Sequence, residues 1–298
     1  MHNSLRRGLV PLMTVVVAVL VAAQSAEDLE AADALLEEER PEAAIELLES
    51  LLPESQGSQR AEVLWRLASA NLMLGDQRDD AGAGEEALLA IYETGEAHGE
   101  AAIEADADNA LGYYWTSANI GRWGQTKGVL NSLFRAPDMR DLLSEAVNRD
   151  PEHADSYYVL GQLYAQVPGM ISFGNVEYAV SLGRKSVDLM EAELRTDERD
   201  EVNDAFYIQL ASHLIDRDWN SRQRARGLRS IRGEYGNAST PLERGYYYEG
   251  AIQVPETDDA AEAEEILTAT VRRLEDIADP TPSDTRRLNE ARELLDSL

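Results

Sequence analysis

The chain has 298 residues, of which 56 are acidic and 27 are basic, and its formal net charge is −29. A charge of this size favours solubility and opposes binding to nucleic acids or to anionic lipid surfaces. The chain has no cysteine, which excludes disulfide bonds and lipid attachment at a processed N-terminal cysteine. Only Lys127 and Lys185 are lysines, and either a salty environment or a GC-rich genome would produce this composition.

The N-terminus has the organisation of a secretory signal peptide. Arg6 and Arg7 precede an apolar run over residues 8–23, and small residues that suit a cleavage site end at Ala23. The run is short for a membrane span, which needs about 20 residues. We therefore expect an exported, periplasmic protein that is cleaved near Ala23 and begins at Gln24. Retention by an uncleaved N-terminal anchor is the alternative.

The remaining chain has the sequence pattern of α-helices throughout. Apolar residues recur three and four positions apart, and Ala, Leu, Glu and Arg dominate. Pro41, Pro137 and Pro241 are placed to open helices. We predict a signal peptide over residues 1–23 and a single helical domain over residues 24–298.

The helical part contains an internal repeat. Asp106–Tyr114 (DADNALGYY) and Asp150–Tyr158 (DPEHADSYY) align at an offset of 44 residues. Ala61–Trp65 fits the same frame at an offset of 49 from the first of these. Repeated helix pairs predict a solenoid, in which each pair buries its apolar face by stacking on the next pair.

The last copy carries the clearest motif. Tyr157–Tyr164 (YYVLGQLY) resembles the first helix of a tetratricopeptide repeat, with its W-Y-x-L-G-x-x-Y pattern. Gly161 and Ala179 are small enough to let two antiparallel helices approach closely. The sequence therefore predicts an all-α fold, a tetratricopeptide-like α-solenoid of helix hairpins.

These repeats are longer than the tetratricopeptide unit of about 34 residues. The surplus lies in three insertions, each after the first helix of a pair, at residues 75–84, 122–137 and 167–175. We expect these long intra-repeat insertions to lie together on one edge of the solenoid.

The most unusual segment is Gly112–Gly128 (GYYWTSANIGRWGQTKG), because the chain has no acidic residue from Asn109 through Pro137. Aromatic walls with a few convergent polar groups are typical of small-molecule pockets, and Arg with Lys suits a carboxylate ligand. We expect Phe173 to face this segment. The alternative for the tyrosines of the segment is that they pack in the core. The candidate residues for binding a ligand or partner are Tyr114, Trp115, Asn119, Arg122, Lys127, Tyr158, Gln162 and Phe173.

The sequence gives no sign of a catalytic or metal site. His98, His153 and His213 lack metal-ligand spacing, and no G-x-S-x-G or phosphate-binding loop is present. We therefore expect no enzyme activity, no metal and no cofactor. Five arginines crowd into residues 222–232, and in so acidic a chain we interpret them as ion-pair partners of neighbouring acidic helices.

Three segments form a distinctive series: YYWTSANIGRW (113–123), DMRDLLSEAVNRDPEHADSYYVLGQLYAQVPG (138–169) and ISFGN (171–175). This series resembles the T-component family of TRAP (tripartite ATP-independent periplasmic) transporters. The resemblance covers about residues 60–190. It implies a periplasmic helical solenoid that associates with the solute-binding subunit of the transporter and that can form trimers.

From this resemblance we expect a binding protein, an accessory T component whose partner is a periplasmic solute-binding protein of a TRAP-type transporter. A small anionic ligand would bind at the candidate residues. Two alternatives stay open: a general periplasmic tetratricopeptide scaffold for envelope protein assembly, and an enzyme built on a helical solenoid.

Overall fold

The computed structural model describes residues 26–170 and 172–298, with the side chains of residues 129 and 130 excepted. All regular secondary structure in these ranges is helical, which confirms the predicted all-α class. The predicted signal peptide, residues 1–23, lies outside the described residues. Among the described helices, none is long and apolar enough to cross a membrane.

The chain groups into two compact units, Met1–Ser132 and Leu133–Leu298. In its described part, the first unit contains α1 (26–37), α2 (Pro41–Leu51), α3 (Gly57–Asp80), α4 (Glu85–Ala105), α5 (Ala110–Lys127) and the start of α6 (Val129–Arg149). The second unit contains the rest of α6, then α7 (Ala154–Gln166), α8 (Val176–Arg195), α9 (Asp204–Arg217), α10 (Ser221–Asn237), α11 (Pro241–Tyr246), a 3-10 helix (Tyr248–Gly250), α12 (Asp259–Glu275) and α13 (Pro282–Asp296). The single domain over 24–298 stays a prediction.

The helices of the first unit stack in chain order. Helix α3 packs on α4, α4 packs on α5, and α3 also contacts α5. The α4–α5 contact is close because Gly99 has no side chain: a Cβ there would lie 2.3 Å from Oγ1 of Thr116. Short connections between long helices make successive helices antiparallel. This packing, in which neighbouring helices pack on each other and α3 also contacts the helix after next, is that of a tetratricopeptide-like α-solenoid and confirms the predicted fold class.

The predicted repeat at an offset of 44 is present in the local structure. The carboxylate of Asp106 accepts the backbone N–H of Asp108 at 3.0 Å, and that of Asp150 accepts the backbone N–H of Glu152 at 3.0 Å. Each aspartate forms a turn that ends the preceding helix, and helices α5 and α7 both begin four residues later.

The prolines follow the predictions at two of three positions. Pro41 and Pro241 lie in the first turns of α2 and α11. Pro137 lies inside α6, so its prediction as a helix start is wrong. Proline in a helix interior loses one backbone hydrogen bond. Burial of Ala136 and Met139 on either side of it holds the helix together through this position.

Only one of the three predicted insertions is a loop. Outside the undescribed residue 171, residues 167–175 are not helical, and the backbone N–H of Asn175 donates to the carbonyl of Tyr164 at 2.8 Å. Residues 75–84 instead extend α3 and form a short turn, and residues 122–137 complete α5 and begin α6. Two of the insertions therefore lengthen helices.

The second unit repeats the hairpin pattern. Helix α7 packs on α8, α8 packs on α9, and α7 contacts α9. A Cβ at Gly161 would lie 3.5 Å from the carbonyl oxygen of Ala179, which is the close approach that the sequence predicts. Helix α12 packs on α9 and α13, and α10 packs on the 3-10 helix.

Candidate functional site

The first unit has a solvent-open cleft where α3 ends, α4 begins and α5 ends. Its volume is about 390 Å³. The lining residues are Asp79, Ala83, Glu85, Leu88, Tyr92, Arg122, Gln125 and Thr126. Leu88 and Tyr92 are buried and form the floor, whereas the rim is polar and exposed. We refer to this feature as the α3–α5 cleft.

Arg122 lines the cleft, but its charge is already paired. Its guanidinium forms an ion pair with Asp76 and donates to Oε1 of Gln125 at 3.1 Å. Burial alone would lower the pKa of Arg122, yet the hydrogen bond to Asp76 and the negative charge of Asp76 raise it. The hydroxyl of Tyr92 also donates to Asp76, at 3.0 Å, and burial followed by the charge of Asp76 raises the pKa of Tyr92. Arg122 is therefore held in place by α3.

Lys127 lies at the edge of the cleft and is paired as well. Its Nζ lies 3.0 Å from Oε1 of Glu85, and both side chains remain substantially exposed. Nearby, Nε1 of Trp123 donates to Oε1 of Glu93 at 3.0 Å. Because both cations have carboxylate partners within the first unit, the geometry does not favour an anion in this cleft.

Of the other candidates on α5, Asn119 belongs to the packed interior, and Tyr114 and Trp115 are half-buried. Asn119 is fully buried, and its amide donates to the carbonyls of Ala68 at 3.0 Å and Trp115 at 2.9 Å. The rings of Tyr114 and Trp115 meet edge to face, with centroids 4.9 Å apart. A Cβ at Gly95 would lie 2.1 Å from Oδ1 of Asn119, so α4 fits closely around this amide. Asn119 therefore joins α5 to α3 and α4, and none of these three side chains lines the cleft.

The three remaining candidates lie in the second unit. Tyr158 stacks on Phe206 with centroids 4.6 Å apart, and Nε2 of Gln162 donates to its hydroxyl at 3.2 Å. Burial raises the pKa of Tyr158 to about 12. Phe173 contacts the ring of Tyr164 edge to face, and the guanidinium of Arg140 lies 4.8 Å from its centroid. The expectation that Phe173 faces the Gly112–Gly128 segment stays a prediction.

The second unit contains a buried ring of six charged side chains that we did not predict as a cluster. Each of three arginines bridges two carboxylates, and each carboxylate bridges two arginines. The order around the ring is Arg184, Glu249, Arg217, Asp259, Arg224 and Glu262, which returns to Arg184. All six residues are at most 6% exposed. We refer to them as the charged ring, and they join α8, α9, α10, the 3-10 helix and α12.

The contacts of Arg217 show how the charged ring is held. Its Nε and Nη2 donate to the two oxygens of Asp259 at 2.7 and 2.9 Å, and its Nη1 donates to Glu249 at 2.5 Å. Burial alone would raise the pKa values of Asp259 and Glu262. Hydrogen bonds from the arginines, together with their positive charges, lower both instead. Balanced charges with complete hydrogen bonding make such burial stable.

Only one of the arginines in residues 222–232 behaves as predicted. Arg224 is buried in the charged ring, which confirms its pairing with an acidic helix. The other four are exposed, and none of them forms an ion pair with a described residue, so the prediction is wrong for them. They are Arg222, Arg226, Arg229 and Arg232. Helix α10 turns these side chains away from the core.

The histidines have structural surroundings. His213 is buried, and its Nδ1 donates to the carbonyl of Ala179 at 3.0 Å. Burial lowers the pKa of His213 to about 4, and it also lowers the pKa values of His98 and His153. Within the described ranges, no group of histidine, aspartate and glutamate side chains could hold a metal ion.

One protein family matches part of the chain. A profile of the family described as "Regulator of microtubule dynamics protein 1-3" matches residues 28–173, just under half of the chain. None of the curated protein sequences matches. The predicted resemblance to the T-component family of TRAP transporters is therefore wrong, because the matching family is a different one. Divergent tetratricopeptide-like helices share aromatic and small residues at the same spacings, and those shared positions carried the resemblance.

Two solved structures match the chain. A thermophilic TPR protein of Thermus thermophilus has 16% sequence identity and a TM-score of 0.47, and the match covers 76% of this chain and 100% of that one. The structure of MamA has 14% identity and a TM-score of 0.39, covering 80% of this chain and 96% of that one. Because both TM-scores lie below 0.5, the fold assignment rests on the helix packing of the chain itself. The solute-binding partner stays a prediction that no comparison tests.

Proposed function

We propose that the chain is a protein-interaction scaffold whose first unit binds a segment of another protein in the α3–α5 cleft. The observation that carries this proposal is the cleft itself, a polar depression open to solvent over a small apolar floor. Tetratricopeptide-like hairpins bury their apolar faces on each other, so the exposed helix ends are free to serve as a binding surface. Binding without catalysis, and export from the cytoplasm, stay predictions.

The charges of the cleft favour a basic segment. Asp76 and Glu85 neutralise Arg122 and Lys127, and Asp79 is exposed without an ion-pair partner among the described residues. The surplus charge is therefore negative. A lysine or arginine side chain of the partner would complete the pairing with Asp79, and its aliphatic part would lie on the apolar floor.

The matched family supports a protein partner. That family is named for the regulation of microtubule dynamics, which is an effect on an assembly of other proteins. The match includes every helix that lines the cleft, since α3, α4 and α5 all lie within residues 28–173. Interaction with a protein therefore agrees better with the comparison than binding of a small metabolite does.

The experiment compares three fluorescein-labelled peptides, composed of Lys and Ala, Glu and Ala, or Ser and Gly, by fluorescence anisotropy with the full chain. The test variant carries Asp79→Asn and Glu85→Gln. The control variant carries Glu37→Gln and Glu54→Gln, which change two carboxylates of the same unit outside the cleft and give the same net charge.

We expect the basic peptide to bind the wild type and the control variant about three- to tenfold more tightly than the test variant, since exposed ion pairs contribute up to about 1 kcal/mol each. Equal affinity for both variants would show general attraction to an acidic protein and would refute a site in the cleft. Preference for the acidic or the neutral peptide would refute the proposed charge of the partner.

A further inference from the structure

Helix α10 has a buried face and an opposite face that carries only positive charge. The buried face consists of Arg224, Leu228 and Ile231, and its apolar part packs with Val254. Arg222, Arg226 and Arg229 follow at spacings of four and three, which place them in one row on the opposite side. Arg232 lies one turn further along at the edge of that row. We refer to these four arginines as the α10 basic face.

The α10 basic face has no partner in the described part of the chain. None of its four arginines forms an ion pair or side-chain hydrogen bond with a described residue, and all four are exposed. Arg66 and Arg199 differ from them, since each bridges two carboxylates. Helix α10 contains a single acidic residue, Glu234. A Cβ at Gly233 or Gly236 would meet no atom within 4 Å, so the surface beside the arginines is open.

This local charge runs against the charge of the whole protein. The chain has 56 acidic residues, and some exposed arginines elsewhere, namely Arg40, Arg78 and Arg292, do pair with carboxylates. Four arginines that share one face and find none form a concentrated positive surface. At physiological salt the Debye length is about 8 Å, so a partner at this surface experiences the arginines more strongly than the distant acidic residues.

The size of the surface limits the partner. Arg222 and Arg232 are ten positions apart, which in an α-helix is about 15 Å. An extended segment of four or five residues covers this distance at about 3.3 Å per residue. The exposed carboxylates of Asp218 and Asp258 lie close to one end of α10, where Asp258 accepts the backbone N–H of Ser221 at 2.5 Å. A long polyanion or a membrane would meet these carboxylates as well.

We propose that the α10 basic face docks a short acidic segment of a partner protein. Its carboxylates would pair with the guanidinium groups, whose planar forks bind carboxylates through two hydrogen bonds. This proposal does not depend on the α3–α5 cleft, which lies in the other unit and has the opposite charge preference. Charge complementarity selects the partner here, because Ala225 is the one aliphatic side chain that α10 exposes beside the arginines and it offers little apolar surface.

The test uses the full chain and a fluorescein-labelled hexaglutamate peptide, with fluorescence anisotropy at low and at physiological ionic strength. The test variant carries Arg226→Gln and Arg229→Gln. The control variant carries Arg272→Gln and Arg286→Gln, which remove two exposed arginines of the same unit and have the same net charge. Glutamine is a good helix former, and circular dichroism verifies that all forms keep their helicity.

We expect the test variant to bind the peptide about fivefold more weakly than the wild type, and the control variant to stay within about twofold. Equal weakening in both variants, or no binding by the wild type at low ionic strength, would overturn the proposal. A single-stranded DNA oligonucleotide and phosphatidylglycerol vesicles serve as competing probes. The proposal would also be overturned if either probe bound more tightly than the peptide and if the test variant weakened that binding. The partner would then not be a protein segment.

Discussion

Replacing Arg217 by methionine removes the side chain that connects Glu249 and Asp259 in the charged ring. Methionine keeps much of the volume and favours helix, so the substitution chiefly removes the charge and its hydrogen bonds. Arg217 donates four hydrogen bonds to these two carboxylates, between 2.5 and 3.3 Å. After the change, Glu249 keeps Arg184 and Asp259 keeps Arg224, but each carboxylate loses half of its pairing in a site without solvent.

Breaking one member of a buried ion-pair network costs about 3–5 kcal/mol, because the groups left behind stay desolvated. Whole domains are stable by only about 5–15 kcal/mol, so this loss is a large part of the total. The free energy of unfolding falls by about 2 kcal/mol per molar urea, so the urea concentration at the unfolding midpoint of the second unit should fall by roughly 2 M.

The assay is urea unfolding followed by far-UV circular dichroism. Arg226→Met is the matched control, because Arg226 is exposed on the neighbouring helix and unpaired among the described residues. We expect its stability to stay within about 0.5 kcal/mol of the wild type. If Arg217→Met changes the free energy of unfolding by less than about 1 kcal/mol, the charged ring does not hold the second unit together and the reasoning fails.

Two further predictions concern the packing of small and titratable residues. Gly95→Ala should lower the free energy of unfolding by about 1–3 kcal/mol, because its Cβ would lie 2.1 Å from Oδ1 of the buried Asn119. Gly233→Ala, on the open side of α10, should leave the free energy of unfolding unchanged or raise it. Thermal melts of both variants measure these effects, and a similar loss of stability in both would contradict this account. His213 has a folded-state pKa of about 4. The unfolded chain therefore binds a proton near pH 6.5 that the folded chain does not, and stability falls as the pH drops from 6.5 towards 4. Between pH 7 and pH 5 the wild type should lose about 2 kcal/mol more than His213→Gln in urea titrations, and equal losses would refute the assignment.

The fold could be predicted largely because its signals are local. The turn at Asp106 and its copy at Asp150 depend on hydrogen bonds to residues two positions away, so the sequence contains them completely. The prediction that Pro137 begins a helix was wrong because the residues beside it are packed against the rest of the unit. This packing keeps the chain helical at a proline, which by itself disfavours a helix interior. The prediction of loops at 75–84 and 122–137 was wrong for a similar reason, since an alignment of repeats shows extra residues but not whether they form a helical turn or a loop.

The candidate site was harder to predict because its electrostatics are not local. Arg122 and Lys127 stood out as cations in a segment without acids, but Asp76 and Glu85 approach them from other helices. The charged ring had a weak signal. Arg217, for example, follows Leu210 and Leu214 at the spacing of a buried helix face. An arginine at such a position indicates a buried partner, but nothing in the sequence states which of 56 acidic residues it is.

The order of the charged ring along the chain has a consequence for synthesis. All three of its arginines precede all three of its carboxylates: the last arginine is Arg224 and the first carboxylate is Glu249. On the ribosome, the core arginines of α8, α9 and α10 therefore leave the exit tunnel before any matching carboxylate does. Repeat proteins can usually fold from neighbour to neighbour as they are made. In this unit the last ion pair must wait until Glu262 leaves the exit tunnel, so α8 to α10 cannot close their core as the chain elongates.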